Sequence, residues 1–143
     1  MEKANFSVKR RKIEVRRIEM LKEIIISITI IVVIVSLDFF TQNYTNDSIK
    51  QTTIMLDDLK EKIKKDNNIS NIDELANSWE NRRKKLAYFI EHDELEKVDT
   101  NLTNLKSYIE VSDLEMAINS IDEAKYILEH IKQKSSFSLV NVF

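Results

Sequence analysis

The chain has 143 residues and a formal net charge of −2, and it contains no Gly, no Pro and no Cys. The lack of Cys excludes disulfides and thiolate metal sites, and the lack of Gly and Pro removes the usual residues of hairpin turns, so the pattern predicts an all-α chain. Phosphate-cradling loops and Gly-flanked nucleophilic serines are excluded as well, and no enzyme is expected.

The first 23 residues are basic, with Lys3, Lys9, Arg10, Arg11, Lys12, Arg16, Arg17 and Lys22 against Glu2, Glu14, Glu19 and Glu23. KRRKIEVRR lacks interleaved aromatics and runs directly into an apolar stretch. It therefore reads as a topology signal that touches anionic head groups, with no nucleic-acid partner. Ile13, Arg17, Met20 and Ile24 are spaced 4, 3, 4, which predicts a helix running straight into that stretch.

The apolar run IIISITIIVVIVSLDFF extends from Ile24 to Phe40. As a helix it covers ~25 Å, the short end of what crosses a bilayer. A transmembrane anchor is predicted over 24–42, with Ile24, Ile31, Val35, Phe39 and Phe40 in the membrane. A cleaved signal peptide would need a pair of small residues near Ser36–Phe40, and none is there. A buried core helix would show a polar stripe, whereas the only breaks up to Leu37 are Ser27, Thr29 and Ser36. Their hydroxyls can bond back to the helix's own carbonyls. Asp38 lies within a turn of Thr41 and Gln42 and can reach the interface; the sharper alternative is a polar contact with another transmembrane helix. Phe39, Phe40 and Tyr44 read as an interfacial aromatic belt. The basic flank places the N-terminus in the cytoplasm of a bacterial cell and the rest outside its membrane.

An antiparallel bundle of about four helices is expected over 43–134. Ile49, Thr52, Leu56, Leu59 and Ile63 form a first seam at coiled-coil spacing. The second helix opens at Ser70 with Asp73 as a near capping box and runs through Ile72, Leu75, Trp79, Leu86, Phe89 and Ile90. RRKK at Arg82–Lys85 interrupts that seam and reads as a solvated face. A phase slip near His92 and Asp93 leads to the seam Leu95, Val98, Leu102, Leu105, Ile109. A tight connection explains it, as does a stutter in one longer helix. Ser112 with Glu115 reads as a capping box before Leu114, Ala117, Ile121, Ala124, Leu128 and Ile131. Trp79, Tyr88, Phe89, Tyr108 and Tyr126 are expected to add to the core.

The two histidines are His92 in HDE and His130 in EHI. In an up-and-down bundle both would end helices that point the same way, near Asp93, Glu94 and Glu129. His92, Glu94 and His130 are then the candidate metal ligands or a pH-responsive contact. The plainer reading is a histidine favoured by the helix dipole in a last turn. No cofactor is expected. The tail at 135–143 is apolar, with Phe137, Leu139, Val140, Val142 and Phe143 placed either to dock on the bundle or to bind a partner.

Trp79, FIEHDEL (89–95), LKSYIE (105–110), LEHI (128–131) and SLVNVF (138–143) together resemble the domain of unknown function 4363 family, found in membrane proteins of clostridia and related Firmicutes. The resemblance implies an anchored extracytoplasmic helical domain without assigned activity. It also implies an accessory role beside a membrane protein of the YetF-like kind. The expected function is a non-enzymatic, single-pass interaction module or accessory subunit that contacts the bilayer and a membrane or envelope protein. A homo-oligomer is compatible with it. The alternative is an extracytoplasmic bundle that senses a ligand, a metal or pH and couples to the span.

Overall fold

A computed structural model describes the backbone of residues 2–66 and 72–136, and their side chains other than those of 2–13, 15, 66 and 136. Four helices and no strand occur among the described residues: α1 (Glu2–Asp66), α2 (Ile72–Leu86), α3 (His92–Glu110) and α4 (Leu114–Ser136). Two units divide the chain, Met1–Phe40 and Thr41–Phe143. Acids open α2, α3 and α4, and bases close α1, α2 and α4, as the helix dipole favours.

In the first unit, every side chain from Ile24 to Leu37 is exposed. A core helix would bury one face, so a core role within this unit is excluded. Ser27, Thr29 and Ser36 donate their hydroxyls to the carbonyls of Glu23, Ile25 and Val32 at 2.9, 2.8 and 2.7 Å. The backbone and the hydroxyls of this stretch thus satisfy one another.

In the second unit, the apolar seam residues of α1, α3 and α4 lie in one core apart from Leu114, which is half-buried against it, and Thr52 of the α1 seam is buried too. The α1 seam also extends a turn further back than expected, through Thr45 and Ser48. Thr45 donates to the Thr41 carbonyl at 2.8 Å and Thr52 to that of Ser48 at 2.9 Å. Small hydroxyls bonded into their own helix can therefore line a buried face.

The second helix stops at Leu86, short of the expected Ile90. Tyr88 and Phe89 donate to the carbonyls of Lys85 and Leu86 at 3.3 and 3.0 Å, tightening the last turn, and Ile90 donates to Leu86 at 2.8 Å. Glu91 is extended, with φ −57° and ψ 134°, and α3 begins at His92. His92 therefore opens a helix, where the expected position was the end of one.

The α3–α4 connection is also reassigned. Ser112 has φ 60°, the left-handed region. Its N–H donates to Ile109 at 3.0 Å, and that of Asp113 to Tyr108 at 2.8 Å. This pair of bonds is a Schellman closure of α3. Ser112 cannot then cap α4. Asp113 does so, accepting the Met116 N–H on Oδ1 at 3.1 Å. The expected Ser70 cap lies outside the described residues, as does the apolar tail from Phe137.

Two further expectations fail for physical reasons. RRKK is not uniformly solvated: Arg82 and Arg83 are half-buried between helices. Of the five aromatics expected in the core, Trp79 is buried and Tyr108 half-buried, whereas Tyr88 is 88% and Tyr126 76% exposed. Phe89 sits at the margin, 37% exposed. The Leu and Ile seams already fill the core, so these rings are left outside it.

Candidate functional site

One charged cluster forms where the last turns of α4 meet the start of α3. Glu94 is nearly buried. Its Oε2 lies 3.6 Å from His130 Nδ1, and its Oε1 lies 3.6 Å from Lys97 Nζ and 3.9 Å from Lys134 Nζ. These are ion-pair distances, longer than direct hydrogen bonds. Glu91, one turn earlier, accepts a 2.7 Å hydrogen bond from Lys134. That bond and the ammonium charge hold the Glu91 carboxyl below its usual range, and the same bond pushes Lys134 up.

Of the three residues singled out as metal candidates, the structure joins Glu94 to His130 but not to His92. His92 Nε2 instead faces Glu96 Oε1 at 3.1 Å, one turn along α3. His92 and Glu94 are two residues apart, and on a helix that spacing does not share a face. Among the described residues, no group of three or more His, Cys, Asp or Glu side chains could hold a metal ion.

A second polar centre had no forecast. Trp79 Nε1 donates to Asp99 Oδ1 at 2.5 Å. Arg83 Nε faces the other carboxylate oxygen as an ion pair, off hydrogen-bond alignment. A buried indole N–H needs an acceptor, and that need is the cue the sequence offered. Asp99 follows the seam residue Val98, which places it at the core's edge.

The corner from Leu86 to Glu91 brings aromatic residues to the start of the second unit. Phe89 packs edge-on against Tyr44, with centroids 6.2 Å apart and planes at 86°. Lys85 Nζ lies 5.7 Å from the centre of the same ring. Tyr44 is thus half-buried against the core margin, while Phe39 and Phe40 remain 71% and 66% exposed.

Open depressions also occur among the described residues. One of about 410 Å³ is lined by Asp93, Glu96, Lys97, Thr100, Asn101 and Ile127. Another, of about 270 Å³, is lined by Ile54, Met55, Asp58, Glu74 and Leu75. Both mix a few charges with short apolar walls.

Among known proteins, a domain of unknown function (DUF4363) matches residues 39–142. No curated protein matches the chain, and no solved structure does.

Proposed function

The chain belongs to the DUF4363 family, and from that premise we propose that it is a non-enzymatic, single-pass membrane protein serving as an accessory or interaction module of another envelope protein. The observation that carries this reading is the exposed apolar stretch of α1. It is the one helix among the described residues long and apolar enough to cross a membrane. A continuous apolar helical surface with its hydroxyls bonded internally suits lipid far better than water. The Lys and Arg residues before Ile24 favour a cytoplasmic N-terminus and a second unit outside the cell. That unit is read as an antiparallel bundle. In support, the end of α4 meets the start of α3 through Lys134 with Glu91 and His130 with Glu94.

Partner contact is assigned to the apolar tail, Phe137, Leu139, Val140, Val142 and Phe143, and to the span. The test is purification of the full-length protein from its native membrane in mild detergent, with mass determination of what stays bound. A second membrane protein at fixed stoichiometry is the expected result, lost on deletion of 137–143 while helicity persists. A lone monomer or homodimer overturns the accessory role.

The sensing alternative has one observation in its favour, the juxtaposition of Glu94 with His130. Replacing His130 with Gln would leave the pH dependence of the unit's melting unchanged if that reading is wrong.

A further inference from the structure

We infer that α2 is a strap: it detaches from the rest of the second unit ahead of global unfolding, and the Asp99 carboxylate is its latch. The inference concerns the second unit alone and holds whatever partner the chain has, so it goes beyond the accessory reading. Among the described residues, α2 buries three apolar side chains, Leu75, Trp79 and Leu86, whereas α1 buries four and α3 and α4 five each. The apolar area an element removes from water sets how firmly it is held, and elements with little of it open first. The α1 side of its seat is also poorly covered. An open depression of about 270 Å³ lies where Glu74 and Leu75 meet Ile54, Met55 and Asp58, and Ile54 stays 51% exposed beside it.

The remaining fastenings of α2 are polar and unequal. Lys106 of α3 reaches Asp73 at 3.0 Å, and Arg82 lies 3.7 Å from Asp47 of α1. Both carboxylates are exposed, and pairs of that kind contribute little. Asp99 differs, because it accepts the indole N–H of the buried Trp79 while facing Arg83. Losing that acceptor strands a buried donor. The other helices are joined without α2. Through ion pairs α4 meets α1, Lys125 with Asp57 and Asp122 with Lys60, and it meets α3, Lys134 with Glu91. Departure of α2 therefore leaves α1 and α3 connected through α4.

Native-state hydrogen exchange of the full-length chain in mild detergent tests the inference. Protection is compared at amides 76–84 of α2, 101–108 of α3 and 119–130 of α4, all inside their helices. In the unaltered chain the α2 amides should exchange roughly tenfold or more faster than those of α3 and α4. Asp99→Ala should speed α2 by roughly a further tenfold, the effect of an unmade buried bond. Asp113→Ala removes the cap of α4, a bond made within the α3–α4 connection. It should speed α3 and α4 about fivefold and leave α2 unchanged, because that cap is still in place when α2 alone is open. Equal protection in all three helices overturns the inference. So does acceleration of α2 together with α4 in Asp113→Ala, since α2 would then open only with the whole unit. Unchanged α2 exchange in Asp99→Ala overturns the latch. If Asp99→Ala does not fold, Asp99→Asn, which keeps an acceptor for the indole, is read by the same comparison and should speed α2 by less.

Discussion

Replacing Ser112 with Gly should stabilise the second unit. Ser112 closes α3 at φ 60°, a conformation that costs an L-residue roughly 1–2 kcal/mol because its Cβ crowds the following carbonyl. Glycine removes that crowding, while its extra freedom in the unfolded chain takes back ~0.5–1 kcal/mol. The net gain is then ~0.5–1 kcal/mol. For a unit of about 100 residues this is a rise in Tm of ~2–8 °C. Both Schellman bonds are made by backbone N–H groups, to Ile109 and Tyr108, so the substitution leaves them in place. Thermal unfolding of the full chain in detergent, followed by far-UV circular dichroism, measures the effect. Ser112→Val, β-branched at the same backbone position, should move Tm the other way. An unchanged or lowered Tm for Ser112→Gly, together with a harmless Ser112→Val, would refute the left-handed closure.

Other substitutions probe the core and its polar edge. Asp99→Ala removes the acceptor of the Trp79 indole and the partner of Arg83, and should cost about 2 kcal/mol; the emission of the single Trp will report it by a shift on equilibrium unfolding. Leu128→Ala empties a fully buried position of α4 and should cost ~2–5 kcal/mol, read as a lower denaturant midpoint with unchanged slope. The pH dependence follows from the Glu91–Lys134 pair. Glu91 is depressed in the folded chain, so its contribution is present above the usual carboxylate range and fades as pH falls through the folded value. Lys134 is raised, so its contribution holds below the usual lysine range and fades as pH climbs through the folded value. Lys134→Met should flatten both limbs of a Tm-against-pH curve. A curve of unchanged shape would show that the pair does not form in solution.

The helices were legible because their apolar residues recur every three or four positions. Leu56, Leu59, Leu95, Leu105, Ile121 and Leu128 were placed in the core by that spacing, and all are buried. Where each helix ends was harder to read. Gly and Pro normally punctuate such boundaries, and in their absence Ser112 and Asp113 compete for one cap on almost equal terms. Only the backbone conformation, φ 60° at Ser112, decides between them. That same uncertainty moved His92 from the end of a helix to the start of one, where its ring faces Glu96. Thr45 and Ser48 escaped notice because small hydroxyl residues carry no hydrophobic signal. Their burial follows from the helix face they occupy. The Trp79–Asp99 contact joins residues twenty positions apart on different helices, a pairing that periodicity within one helix cannot express.

The hydroxyls of Ser27, Thr29 and Ser36 limit how the first helix can recognise anything. Each has already given its proton to a carbonyl of its own helix, so none has a donor left for a neighbour. A companion helix lying against this stretch would meet branched Ile and Val side chains and little directional chemistry. Shape would then govern the match, and exchanging Ile for Val along it should be forgiven. Discrimination between partners would fall to the parts of the chain that stand in water.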